Sequence, residues 1–281
     1  MAAINFDFSG IPPERLTLIG DSDSPIPWHT LLTGMIFIQI FYWSTNQTIT
    51  QRAMAAPNVR EAQKGVFAAA GIRLLIIPAI IVIPGICAYK LYGDIGDAAF
   101  GRLVGDLLPG WLSGAFAAMM AAAVLTSFNS VLNSSAALYV CDLHEKYVDD
   151  KPNVHRLSTV ISISFVITAI ALVPAYDGAD SIMNLVQQLN GLLSMPILSA
   201  FITGLLFVNV DARAVIISVV LGTGLYAIFT FAWTPVHYIH LMLVTLVFCV
   251  VCALTLNRAL FGRSARWLGG DAGTPAGQPS G

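Results

Sequence analysis

Residues Phe41-Tyr42-Trp43-Ser44-Thr45-Asn46-Gln47-Thr48-Ile49-Thr50-Gln51-Arg52 decide the reading of the chain. They close an apolar run, yet hydroxyls, amides and finally a guanidinium crowd its second half. Polar groups at membrane depth have to be satisfied by protein, water or ligand. A helix interrupted around such a stretch is a device of membrane transporters.

The rest of the chain supports a membrane setting. Of 281 residues, 56% are hydrophobic and only 11% charged, against about 25% charged in an ordinary soluble domain. Mean hydropathy is +0.75. That rules out intrinsic disorder and argues strongly against a soluble globular domain. A bilayer-spanning helix needs roughly 20 mostly apolar residues, and seven segments meet that need: 29–52, 65–90, 110–140, 157–176, 181–209, 212–233 and 237–258. The expected organisation is a polar N-terminal segment over 1–28, a membrane domain over 29–262 and a Gly/Pro/Ser-rich disordered tail over 263–281.

Charge gives the orientation. One set of alternate loops and ends carries Arg52, Arg60, Lys64, Lys146, Lys151, Arg156, Arg213, Arg258, Arg263 and Arg266; the other carries only Arg15, Lys90 and Arg102. The richer set belongs in the cytoplasm, so the N-terminus is expected outside and the C-terminus inside. Residues 1–28 contain four prolines and no apolar stretch, so they do not read as a signal peptide. The net charge of −2 comes with no basic stripe, which excludes a reader of nucleic-acid phosphates. Cys87, Cys141, Cys249 and Cys252 lie in or at the ends of apolar segments, where packing is a better reading than a disulfide framework.

Polar residues inside the spans are the candidate site. Arg73 costs about 2.5–3.5 kcal/mol to insert unless it meets a carboxylate, carbonyls or an aqueous cavity, or snorkels to an interface. Pro78 and Pro84 follow it and permit a kink. Asp97 to Leu108 forms an amphipathic stretch between the second and third spans, read as a surface helix on the outer face. The third span is rich in small residues. In it Ala123, Thr126 and Ser127 stand at i, i+3, i+4, where a carbonyl and two hydroxyls suit a small alkali cation and also suit close helix packing. Gln39, Tyr42, Trp43, Asn46 and Gln187 combine aromatic faces with amides, as a hydroxylated ring-shaped solute requires; an interfacial aromatic belt is the alternative for Tyr42 and Trp43. Gln187, Gln188 and Asn190 with Gly191 and Pro196 make the fifth span polar and bent. His237 and His240 have no carboxylate or cysteine close by in sequence, so they do not read as a metal site. No phosphate loop, His-Glu-x-x-His or Gly-x-Ser-x-Gly element occurs, and an enzyme is not supported.

Four blocks in order resemble the sodium:solute symporter family, closest to its bacterial sodium/glucose and sodium/galactose branch. They are 41–52, Glu61-Ala-Gln-Lys-Gly65, Ala122 to Ser135 followed by Asp142, and Gln187-Gln-Leu-Asn-Gly191 with Pro196. The resemblance implies an all-α, LeuT-like inverted-repeat transporter fold. The second five-helix repeat and two further helices would be present, seven in all, with the first-repeat helices missing from this chain. It implies sodium as the co-transported ion, no organic cofactor, and a sugar or polyol as the solute. Ala123, Thr126 and Ser127 resemble one half of the family's sodium site, whose other half belongs to the first core helix. Tyr42 resembles its inner-gate tyrosine, with Trp43 beside it, and Gln187 a sugar-binding glutamine. Arg73 stands where the galactose branch has a lysine, and Gln39 where it has an asparagine, which implies a different hydroxyl pattern in the solute. The expected function is therefore sodium-coupled transport by alternating access in the plasma (inner) membrane, as the C-terminal part of a longer symporter. A symporter for another small organic solute, or a seven-helix receptor or sensor, is the alternative. A receptor would leave the cation-site pattern without a purpose.

Overall fold

A computed structural model describes residues 4–5, 7–17, 19–20, 27–149, 151–176, 182–234 and 236–270. Among them the main helices are α1 Leu31–Ser44, α2 Gln47–Met54, α3 Val59–Tyr92, α4 Ala99–Leu107 and α5 Gly110–Tyr147. They continue with α6 Val154–Tyr176, α7 Ile182–Leu206, α8 Ala212–Ala232 and α9 Tyr238–Phe261. One short antiparallel ladder joins β1 Phe207–Val208 to β2 Arg266–Trp267. Six helices (α3 and α5–α9) are long and apolar enough to cross a membrane.

The first expected span, 29–52, is not one helix, so the seven expected spans resolve into six full-length helices and one broken one. The break falls at Thr45–Asn46. There the amides of Thr45 and Asn46 both donate to the Phe41 carbonyl, at 3.0 and 3.1 Å, and the Thr45 hydroxyl donates to it at 3.0 Å. A threonine hydroxyl that bonds back onto its own helix competes with the next helical turn, and Thr45 leaves helical geometry at φ −124°, ψ −11°. Proline has a milder effect in α3. The turn Pro78–Val82 is over-wide, closing on the fifth residue instead of the fourth, and the helix then continues to Tyr92. Pro78 has no N–H to offer the preceding turn, and a wide turn absorbs that loss without ending the helix. Helix α7 runs unbroken through Pro196.

Asparagine and aspartate set the helix starts. The Asn58 side chain accepts the Glu61 amide to open α3, and Asp211 accepts the Arg213 amide to open α8. Gly262, at φ +64°, ends α9 in the left-handed conformation that glycine adopts at no steric cost.

The chain divides into two compact units, Met1–Leu18 with Gln47–Ile182, and Ile19–Asn46 with Met183–Gly281. In the first, the N-terminal segment lies against the end of α3 and against α4. Ile4 is buried with Cys87, Ala88 and Leu103. Lys90 donates to the Asp7 carboxylate at 3.2 Å and also to the Ser9 carbonyl. Arg15 pairs with Asp94 at 2.6 Å and covers the Tyr89 ring. The Ser9 amide and hydroxyl, and then Lys90, hold the Asp7 carboxyl down at about 2. Helix α4 is the amphipathic helix expected over 97–108, with Leu103 as its buried residue. Helix α5 packs on α6 and α2. The apolar windows of α3, α5 and α6 are exposed along their length; side chains of this kind face hydrocarbon at no cost.

The second unit is better buried. Ile38 of α1, Met195 and Leu198 of α7, Tyr226 of α8, and Leu241, Met242 and Leu246 of α9 form its core. Three glycines allow the helices to approach. A Cβ at Gly34 would overlap the Ile239 backbone, one at Gly191 the Tyr226 ring, and one at Gly222 the Cys249 sulfur. Cys249 is buried with its thiol 3.5 Å from the Ser218 carbonyl, as a packing residue. At the other end of α9, Asn257 is fully buried. Its side chain accepts the Asp211 amide at 2.8 Å and donates to the Asn209 and Arg263 carbonyls at 3.0 and 2.9 Å. The β1–β2 ladder lies beside it, and residues 271–281, the end of the expected tail, lie outside the described residues.

Helix α1 depends on the absence of a side chain at Gly34, where the neighbour is backbone and cannot move aside. Gly34→Ala is expected to destabilise the second unit by about 1–3 kcal/mol, read as a lower thermal unfolding midpoint in detergent. Gly224→Ala, whose Cβ would meet open space, should leave the midpoint unchanged.

Candidate functional site

The residues singled out above fall into both units. Gln39, Tyr42, Trp43, Asn46 and Gln187 belong to the second, and Arg73, Ala123, Thr126 and Ser127 to the first.

In the second unit, Ile38 turns α1 into the core. At 100° per residue, Gln39, Tyr42 and Trp43 then occupy roughly a 100° arc on one flank of α1, and Asn46 lies in the break that follows. Gln39 and Tyr42 are exposed there, and Trp43 and Asn46 are half-buried. The Tyr42 and Trp43 rings meet edge to face, with centroids 5.9 Å apart. Gln187 is half-buried on α7, one turn before Gly191, on the face that packs against Tyr226. Helices α1 and α7 share the core through Ile38, Met195 and Leu198. The aromatic and amide set thus stands at the end of a helix that the core holds firmly, just before the break.

In the first unit, Ala123, Thr126 and Ser127 lie on an exposed face of α5. The Thr126 hydroxyl donates to the Ala122 carbonyl at 2.5 Å and lies 3.2 Å from the Ala123 carbonyl. Two candidate cation ligands, the Ala123 oxygen and the Thr126 hydroxyl, are therefore already neighbours. Arg73 is exposed on α3.

Sequence reasoning missed the residues that extend this face. Ser130 donates to the Thr126 carbonyl at 2.8 Å, and Ser134 to the Ser130 carbonyl at 2.9 Å. Thr126, Ser130 and Ser134 form a hydroxyl ladder at four-residue spacing, a signal that was visible in the sequence. What was not visible is its partner. Helix α2 docks on the ladder, with Arg52 donating to the Ser130 hydroxyl and the Ser134 hydroxyl donating to Gln51 at 3.0 Å. The helix that follows the break is thus hydrogen-bonded to the helix that carries the candidate cation ligands.

His237 and His240 lie 6.3 Å apart between ring centroids. His240 stacks on His29 at 5.0 Å and meets the Thr33 hydroxyl at 2.6 Å. Among the described residues no cluster of three His, Cys, Asp or Glu side chains is placed to hold a metal.

A model of the sodium:solute symporter family matches residues 20–222, and the chain belongs to that family. It is 31% identical over 256 residues to the uncharacterized symporter YidK of Escherichia coli, covering 87% of this chain and 44% of that protein. It is 30% identical over 265 residues to the sodium/glucose cotransporter of Vibrio parahaemolyticus, covering 85% of this chain and 49% of that one. The sodium/myo-inositol cotransporter 2 of Rattus norvegicus is 26% identical over 222 residues, 71% of this chain and 33% of the relative. The chain spans about half the length of the first two relatives and a third of the last. Family and apolar helices together make this an integral membrane protein.

The α2–α5 contact can be measured. In a double-mutant cycle, Gln51→Ala and Ser134→Ala should be non-additive, with a coupling of about 0.5–1.5 kcal/mol. The readout is thermal unfolding of the purified protein. Strict additivity would mean that the contact carries no energy.

Proposed function

We propose that the chain forms the C-terminal part of a sodium-coupled symporter for a sugar or related polyol, with a LeuT-like fold and its N-terminal segment outside the plasma membrane. The observation that carries this reading is the face of α5 in a chain of this family: the Ala123 carbonyl and the Thr126 and Ser127 hydroxyls on consecutive turns, continued by Ser130 and Ser134, which hydrogen-bond to the helix after the break. The names of two relatives, sodium/glucose and sodium/myo-inositol cotransporters, favour an uncharged polyhydroxylated solute. The excess of Lys and Arg on one set of loops favours the orientation.

Oxygen donors suit sodium, a hard cation. Thr126 now spends its proton on the Ala122 carbonyl, which leaves its oxygen lone pairs available to a cation. Three oxygens from one helix are too few for a complete coordination shell, so further ligands come from outside this face; in the family-based reading these belong to the first repeat. The solute would be held by Gln39, Asn46 and Gln187 through its hydroxyls, by Tyr42 and Trp43 through its ring face, and by Arg73 through a planar pair of donors. Sodium bound at α5 would bias α2 through Ser130 and Ser134, and α2 adjoins the broken end of the solute-binding helix. Such coupling is reciprocal: sodium raises solute affinity by the factor by which solute raises sodium affinity.

In proteoliposomes containing the chain as its native membranes produce it, a sodium gradient should drive uptake of labelled D-glucose or myo-inositol. Thr126→Ala should raise the sodium concentration for half-maximal uptake by about tenfold or more, equivalent to roughly 1.4 kcal/mol, with the preference between the two solutes unchanged. Thr126→Ser should restore most of the loss. Uptake that keeps its sodium dependence in Thr126→Ala would remove α5 from the cation site.

A further inference from the structure

All the cationic side chains of the second unit are arginines, and all four stand at one end of it: Arg213, Arg258, Arg263 and Arg266. Asp211 is the only carboxylate among the described residues of that unit. The tertiary structure gathers these groups around Asn257. Its side chain accepts the amide of Asp211, two residues before Arg213, and donates to the Asn209 and Arg263 carbonyls. Arg258 is the next residue along α9. The Asn209 side chain donates in turn to the Ser264 carbonyl at 3.1 Å, and the β1–β2 ladder sets Arg266 opposite Val208.

The chain after α9 is therefore folded back against the turn between α7 and α8, with its arginines in fixed positions. Asp211 neutralises one of them, lying 3.4 Å from Arg263. Arg213, Arg258 and Arg266 are exposed, and none has an ion-pair partner among the described residues. Three positive charges remain uncompensated on a small surface.

That surface stands at the membrane boundary. Helices α7 and α9 are both long and apolar enough to span a bilayer, and β1 begins at the residue after α7 ends. Trp267 meets Phe207 edge to face at 5.3 Å and still exposes 51% of its surface. Leu268 and Leu260, the latter in the last turn of α9, are exposed as well. An indole and leucines interleaved with arginines suit the headgroup level, where rings rest against hydrocarbon and guanidinium groups reach phosphate. Arginine presents a planar fork that donates two hydrogen bonds to a phosphate, and juxtamembrane arginines attract anionic lipids. The exposed apolar side chains favour a lipid over a free phosphate, which has nothing to cover them.

We propose that this end of the second unit is a docking surface for the headgroup of an anionic phospholipid, held by Arg213, Arg258 and Arg266 with Trp267 and Leu268 in the interface. In the orientation proposed above, the lipid belongs to the cytoplasmic leaflet. Headgroup binding itself depends on neither that orientation nor sodium coupling, so failure of sodium-driven uptake leaves it standing.

The test is native mass spectrometry of the purified full chain in neutral detergent, with dioleoyl phosphatidylglycerol or dioleoyl phosphatidylcholine added. Phosphatidylglycerol should bind at least about tenfold more tightly. Arg258→Gln combined with Arg266→Gln should weaken phosphatidylglycerol binding by about tenfold or more and leave phosphatidylcholine unchanged. Both side chains are exposed and unpaired, so this variant should keep the thermal unfolding midpoint of the parent. Arg213→Gln is the independent second variant, with an expected loss of about fivefold. Arg60→Gln combined with Arg156→Gln removes two exposed charges from the first unit and should leave the binding as it was. Equal binding of the two lipids would mean that the arginines are only solvated. A preference that survives the Arg258/Arg266 and Arg213 variants would place the lipid elsewhere, and a matching loss in the Arg60/Arg156 variant would mean diffuse attraction to net charge. Each of these results overturns the proposal.

Discussion

Every backbone N–H and C=O that enters hydrocarbon needs a partner within the protein, and the architecture follows from that requirement. It makes the apolar runs helical and dictates how a helix can be interrupted. At Thr45–Asn46 the chain breaks its first span without abandoning the donors, because the Phe41 carbonyl receives two amides and a hydroxyl at once. The same economy appears at Pro78, where a wide turn accommodates the missing N–H, and at Asn257, whose single side chain satisfies three backbone groups where the helices turn.

Hydroxyls have two uses in such a protein, and the two units separate them. On α5, Thr126 and Ser130 return a proton to their own helix and keep lone pairs outward, Ser130 for Arg52 of α2 and Thr126, in the proposed function, for a cation, while the buried Ser134 shares its proton between the Ser130 carbonyl and Gln51 of α2. In the second unit, Ser199 and Thr203 do the same within a buried helix and serve only packing. The chemistry is identical, and exposure distinguishes a ligand from a filler. The helix that ends at Ser44 is followed by α2, which is hydrogen-bonded to the α5 ladder.

Most of the fold was legible because its signals are local. Runs of about 20 apolar residues locate six full-length helices, with limits that differ from the observed ones by up to a helical turn or two. The differences lie mainly at helix ends, where polar residues such as Val59–Lys64 and Cys141–Tyr147 continue the helix beyond the apolar stretch. The 41–52 stretch announced an interruption through its composition, although it was still counted as one span. The spacing of Ala123, Thr126 and Ser127, and of Gln39 and Tyr42, was equally readable because helical periodicity places them on shared faces. Gln51 and Arg52 were read only as the end of a span, since nothing in their own sequence indicates that Ser130 and Ser134, some eighty residues later, receive them.

The sequence by itself determined that the chain is an integral membrane protein of helices, which family it joins and which polar residues fall within its apolar runs, because hydrophobic run length, helical periodicity and motif order all act over short stretches. Only the tertiary structure decided where α2 docks and which glycines let helices touch. Those outcomes depend on helix faces meeting across long separations in the chain, which is settled when the helices pack.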